Sequence, residues 1–463
     1  MKKLSAALLL LSAIPATAQQ YGFSNKHARV VERDVSTDAS GREWFNIHFQ
    51  TTYIYQYKPS FASAYADTNS LTSAEANANS LTATLYLGAR LWKGAEIYLN
   101  PELAGGSGLS RAVGMGGSSN GETFRIGTAA PTLYLARGYF RQTFELRNKH
   151  ARKMGVLNTQ EVESGQNQLA GYEPKNYLRF YIGKLSLTDL FDNNRYSNSP
   201  RTQFMNWALM NNGAWDFAAN ARGYTYSFVT ELQLGKMNYK VAAAALPLTA
   251  NGPDLNTDFG EAISANAEIS RAITIKKRPG NIRLLGYYNK ANMGNYQKAV
   301  LMTYGVIRPD INLVQQAGNS KYGFGLNYDQ ELSNTFGVFA RVGWNDGQNQ
   351  TWCFTEIDQT LSLGLSANGS KWRRPNDNIG LAFVVNGLSK EHQSYLANGG
   401  MGFMLGDGRL KYAPEFIGEF YYSFKPLNAG IWFSGDYQFC ANPGYNSARG
   451  PVHIFSARLH VAL

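Results

Sequence analysis

Residues Glu43–Tyr57 read Glu-Trp-Phe-Asn-Ile-His-Phe-Gln-Thr-Thr-Tyr-Ile-Tyr-Gln-Tyr. Successive side chains of a β-strand point to opposite faces. Phe45, Ile47, Phe49, Thr51, Tyr53, Tyr55 and Tyr57 therefore share one face, and Asn46, His48, Gln50, Thr52 and Gln56 share the other. The last residues alternate in the same way: Phe455, Ala457, Leu459, Val461 and Leu463 against Ser456, Arg458, His460 and Ala462. One apolar face and one wet face, repeated over many strands, is the pattern of a transmembrane β-barrel.

Fifteen further runs carry strand character. They are 80–92, 96–103, 132–146, 177–184, 224–234, 237–246, 262–273, 281–290, 322–332, 336–345, 356–365, 379–388, 415–424, 431–439 and 453–463. The expectation is an all-β fold, an antiparallel transmembrane barrel of about 16 strands. A barrel of that size leaves room for an aqueous channel. Tight connections at 91–95, 234–236 and 332–336 alternate with long ones at 103–132, 146–177, 183–224 and 290–322. This asymmetry predicts short periplasmic turns and long extracellular loops.

The chain opens with Met1-Lys2-Lys3, an apolar stretch from Leu4 to Ile14, and Pro15-Ala-Thr-Ala18. That is a signal-peptide pattern cleaved after Ala18. Residues 19–42 are expected to form a polar N-terminal arm, and 43–463 the barrel. The 28 Tyr, 25 Phe and 8 Trp make the chain 13% aromatic. The mean hydropathy of −0.32 suits a barrel, because only alternate strand residues meet lipid.

The formal charge is +11, or +9 without Lys2 and Lys3. The cations are scattered and form no basic stripe, which argues against nucleic-acid binding. They suit contact with anionic outer-membrane lipid and lipopolysaccharide, or an arginine-lined channel. Cys353 and Cys440 are the only cysteines. An oxidising compartment allows them one disulfide, but nothing in their spacing brings them together. No CxxC, HExxH or GxSxG pattern occurs, so no metal, cofactor or catalytic residue is assigned.

A binding site for a polar solute needs aromatic platforms and side chains that donate and accept hydrogen bonds in fixed geometry. The connection from Gly183 to Tyr224 is rich in both: Asp189, Asp192, Arg195, Arg201, Gln203, Trp207, Trp215, Asp216 and Arg222. So long a connection is either functional or solvated loop. Residues 185–222 are read as folding into the lumen to form a constriction. Arg90, Arg179, Glu415 and Glu419 fall on polar strand faces and are second candidates for solute contact. Glu415 and Glu419 share a face, which suggests an acidic patch opposite the arginines.

Several segments resemble the carbohydrate-selective porin (OprB-like) family, in the same order. These are Gly183-Lys184, Asp189-Leu-Phe-Asp192, Pro200-Arg-Thr-Gln-Phe-Met-Asn206 and Gly213-Ala-Trp-Asp216. Phe339-Ala-Arg-Val-Gly-Trp-Asn-Asp-Gly347, Gly399-Gly400, Gly406-Asp-Gly408, Glu415 with Glu419, Gln438, Asn442-Pro-Gly-Tyr445 and Arg458-Leu-His460 continue the match. The resemblance implies an outer-membrane porin that passes small carbohydrates such as glucose passively, with a weak sugar-binding eyelet and no reaction. It leaves open a monomer or a homotrimer. The rival readings are a general or anion-selective porin, an outer-membrane hydrolase, and a soluble periplasmic sugar-binding protein.

Overall fold

A computed structural model of the protein describes residues 41–123, 130–146, 159–303, 306–426 and 430–463. The expected signal peptide, and all of the expected arm except Gly41 and Arg42, lie outside the described residues.

The strands are β1 Phe45–Lys58, β2 Ala76–Trp92, β3 Ala95–Gly106, β4 Thr132–Glu145, β5 Thr159–Val162, β6 Gly171–Pro174, β7 Tyr177–Leu185, β8 Thr225–Leu234 and β9 Met237–Ala245. They continue as β10 Ile263–Ile275, β11 Arg278–Gly294, β12 Gln315–Glu331, β13 Phe336–Asn345, β14 Gln359–Gly369, β15 Arg374–Gly387, β16 Glu415–Phe424, β17 Ile431–Ala441 and β18 Val452–Ala462. Every strand except β5 and β6 belongs to one closed antiparallel barrel of 16 strands. β1 and β18 seal it, with Tyr53 opposite Leu459 and Tyr57 opposite Phe455. Closure leaves no strand edge with unpaired backbone groups in the lipid. β5 and β6 form a separate hairpin.

The period-two pattern sorts the wall as the sequence predicts. On β1, Phe45, Ile47, Tyr53 and Tyr55 are exposed on the outer surface, while Gln50, Thr52 and Gln56 are buried inside. The eight outer connections, 59–75, 107–131, 186–224, 246–262, 295–314, 346–358, 388–414 and 442–451, all lie at one end.

The connection between β4 and β7 corrects the sequence reading. Its length groups it with the long extracellular loops, yet strand parity puts it at the short-turn, periplasmic end. β4 descends from the 107–131 loop and β7 rises to the 186–224 loop. From this end the β5–β6 hairpin reaches into the barrel: Asn46 donates to the Gln168 carbonyl at 2.7 Å and Gln166 to the Gln50 side chain at 2.8 Å.

The interior is filled largely by inward-folded outer loops. Phe191, Trp207, Trp215, Phe217, Trp352 and Phe354 are buried in one cluster. Trp207 stacks on Phe354 at 5.4 Å, and Phe217 lies 4.4 Å from Phe354. Each such ring removed from water contributes roughly 2–3 kcal/mol. This apolar centre makes the loops a packed part of the fold.

Candidate functional site

The 186–224 segment enters the lumen through a tight turn at Leu187–Asp189, where the Asp189 carboxylate accepts the Ser186 N–H at 3.2 Å. Asn206 then caps a short helix, α1, Trp207–Met210, by accepting the Ala208 N–H at 3.0 Å. Inward carboxylates of the opposite wall hold the segment and its neighbouring loops there. Glu419 on β16 accepts the N–H groups of Met205 and Asn206. Glu415 accepts those of Gly116, Gly117 and Gly444 at 2.9–3.1 Å.

Beneath this segment lies a cavity of about 770 Å³, lined by Arg137, Asp189, Arg201, Arg222, Glu102, Glu122, Tyr86 and Tyr224 among others. Arg201 is its hub. Its Nε donates to Glu122 at 2.8 Å and its Nη2 to Glu102 at 3.0 Å. Its Nη1 reaches Thr84 at 3.1 Å and the Tyr86 hydroxyl at 3.3 Å. Burial alone works against the charge of Arg201, but Glu122 and Glu102 outweigh it and hold the guanidinium protonated. Glu102 also accepts from Thr84, Tyr134 and Tyr224. Burial, with Glu102 close by, pushes the Tyr224 phenol up, so it stays a neutral donor.

A second pair flanks the first. Arg137 grips Asp189 with two hydrogen bonds of 2.6 Å, the bidentate geometry that fixes a guanidinium most firmly. Arg222 lies 4.2 Å from the Tyr134 ring, and Arg137 lies 5.1 Å from that of Tyr224. Planar donors, acceptors and aromatic faces thus converge on one cavity.

Of the residues singled out from sequence, Asp189 and Arg201 line this cavity, together with Gln203 and Arg222. The structure places the others elsewhere. Asp192 is buried against Arg341 at 3.0 Å and accepts the Asn212 N–H at 2.8 Å. Arg195 pairs loosely with Glu331 at 3.4 Å. Trp207 and Trp215 are buried, their indoles donating to the Asn120 carbonyl and the Asn266 side chain, each at 2.9 Å. They are packing residues of the loop cluster, not faces open to a solute.

Asp216 accepts the backbone N–H groups of Trp352, Cys353 and Phe354 at 2.8–2.9 Å. Arg90 and Arg179 hold the β5–β6 hairpin: Arg90 donates to the Ala170 carbonyl at 3.3 Å and Arg179 pairs with Glu173. Glu415 and Glu419 form no open acidic patch, because both are buried and bonded to loop backbone. Cys353 and Cys440 are free buried thiols, so no disulfide joins them.

Sequence reasoning passed over Glu122, Arg137, Tyr134 and Tyr224 as site residues. Tyr134 and Arg137 both face inward because a bulge at Asn100/Pro101 shifts the β3–β4 register between them. Such an extra residue reverses the face of everything beyond it. Glu122 comes from the 107–131 loop, which carries no strand pattern to phase it.

No curated protein matches the sequence. Among solved structures, the high-pH form of Pseudomonas putida OprB is similar, with a TM-score of 0.67 at 15% identity, covering 90% of this chain and 94% of that one. The outer-membrane channel DcaP of Acinetobacter baumannii gives a TM-score of 0.50 at 10% identity, covering 92% and 99%. At these identities the likeness bears on fold alone. A family model described as carbohydrate-selective porin, OprB family, matches residues 68–463. With a closed 16-strand barrel around a polar lumen into which its outer loops fold, the chain belongs to the carbohydrate-selective porins of the Gram-negative outer membrane.

Proposed function

We propose that the 186–224 segment is the selectivity constriction of this sugar porin and that Arg201, Arg137, Glu102 and Asp189 form its sugar-binding eyelet. The observation that carries this reading is the Arg201 hub, which sets a fixed guanidinium between Glu122 and Glu102 beside the Tyr86 and Tyr224 rings. A neutral solute rich in hydroxyls finds donors and acceptors of both kinds there, and aromatic faces for its C–H surface. Because the arginines and carboxylates already satisfy one another, the solute competes for partners that exist without it. Binding is then weak, and release is fast, as flux requires. The barrel catalyses nothing in this reading and uses no energy.

Cations and carboxylates alternate around the cavity, which favours neutral sugars over the anion-selective alternative. Single-channel conductance in a planar bilayer, repeated during a glucose titration, tests the proposal. Saturable block that Arg201→Ala weakens supports it. Block unchanged by Arg201→Ala places the eyelet elsewhere, and reversal potentials strongly favouring chloride would support an anion porin instead.

A further inference from the structure

The outer wall carries a feature that sugar passage does not use. Across β1, β18, β17 and β16, one row of lipid-facing residues runs Tyr55, Ala457, Gly435, Tyr422, each paired with the next. Two small residues between two tyrosines leave a groove of about 370 Å³. A Cβ built on Gly435 would meet nothing within 4 Å. The next row toward the periplasmic rim places Phe433 beside Phe424, and both line the groove.

A second, polar pocket of about 320 Å³ lies at the rim, lined by Arg373, Arg374, Asp377 and Lys425, the last two of which also line the lumenal cavity. Two contacts join this pocket to the groove. The Arg374 guanidinium lies 4.3 Å from the centre of the Phe424 ring, and the Tyr422 hydroxyl donates to Asp377. Arg373 and Arg374 face one carboxylate there, while Lys425 turns its ammonium over Trp432, which lines the lumenal cavity. Asp377 bonds Arg374 and Tyr422 and accepts the Lys425 N–H at 3.0 Å, so positive charge is left over. Arg373 is exposed at the turn.

We propose that this cleft binds one anionic phospholipid of the periplasmic leaflet, its phosphate against Arg373 and Arg374 and an acyl chain along Gly435 and Ala457. The charge complementarity selects the occupant. An apolar groove alone suits any acyl chain or a second barrel, but a groove ending in a basic pocket at the level of the headgroups matches an anionic lipid. Basic pockets beside a membrane's hydrocarbon edge attract such headgroups. The register makes the site, because a single residue's slip would send Gly435 and Ala457 to the lumen.

Native mass spectrometry of the full barrel, delipidated in detergent and titrated with phosphatidylglycerol or phosphatidylcholine, tests this. The expected result is one retained phosphatidylglycerol, bound about tenfold more tightly than phosphatidylcholine. Arg373→Gln with Arg374→Gln should bring the two lipids level. Gly435→Leu, whose Cβ meets nothing within 4 Å, should lower retention of both. Single-channel conductance equal to that of the wild type shows that each variant is folded. Equal retention of both lipids by the wild type would overturn the proposal, as would phosphatidylglycerol binding indifferent to Gly435→Leu. A wild-type oligomer that Gly435→Leu dissociates would also overturn it, by showing that a second copy fills the groove.

Discussion

Arg201 of the inward loop and Glu102 of the barrel wall meet at 3.0 Å, though 99 positions separate them in sequence. Glu102 is almost fully buried and accepts three further hydroxyls, from Thr84, Tyr134 and Tyr224. A strand residue, whose position the barrel fixes, thereby sets where the loop's guanidinium lies.

Replacing Arg201 with Ala should weaken sugar block of the ion current by about tenfold, roughly 1.5 kcal/mol, the scale of one charge-assisted hydrogen bond. The change also leaves Glu102 and Glu122 without their counter-ion beside the lumen. The reversal potential in a salt gradient should therefore move toward cation selectivity. Arg201→Lys should retain the selectivity but not the affinity, since a point charge cannot serve both carboxylates and two hydroxyls in one plane.

Trp215→Ala should act on stability. The indole is 1% exposed, packs against Phe191 and Phe217, and bonds Asn266. Its loss leaves a cavity and should cost about 3–5 kcal/mol. Thermal or guanidinium unfolding would measure that. Sugar affinity of the channels that remain folded should stay within about twofold of the wild type, well under 1 kcal/mol.

Acid should loosen the outer loops through Asp358. This carboxylate is buried, which by itself raises its pKa, but Lys321 at 3.1 Å and His392 at 2.9 Å pull it well below the usual range. A carboxylate depressed in the folded state stabilises it above the unfolded value of about 4, and that contribution disappears as pH falls through the folded value. Urea midpoints should thus drop between about pH 4 and lower pH in the wild type. Asp358→Asn should be less stable at pH 7, by about 3 kcal/mol or more for a stranded buried lysine, and should lose this part of the pH dependence.

Thiol titration should find no reactive group in the folded barrel and two per chain after unfolding without reductant. Both cysteines are buried and free. Burial, with Asp216 nearby, also pushes the Cys353 thiol up, which suppresses the reactive thiolate. Fewer than two thiols in the unfolded chain would reveal a disulfide and contradict the structure.

The wall was legible because lipid and water impose a period of two on every strand they flank. Phe45 to Tyr57 show it without any partner in view, and all 16 runs correspond to barrel strands. The lumen was less legible. Arg201 and Asp189 line the cavity, yet Trp207 and Trp215, which the sequence offers as sugar platforms, are the core of the loop cluster. An indole's usefulness for stacking and for packing is the same chemistry, and only its surroundings distinguish them. Glu415 and Glu419 show the same ambiguity: an inward carboxylate serves a solute or a loop's backbone N–H groups, and sequence names neither partner.

Alternation along each strand, together with the number of strands, was enough to determine the barrel and its outer face, because each residue's side follows from its neighbours and from the solvents on either side. The cluster around Arg201 depended on the tertiary structure. The bulge at Pro101 turns Tyr134 and Arg137 to the same side, strand parity carries the β5–β6 hairpin to the periplasmic end, and Glu102 meets Arg201 across 99 positions only because the loop after β7 folds back over β3. These are contacts between distant positions, set by register and closure, and no local pattern in the chain encodes them.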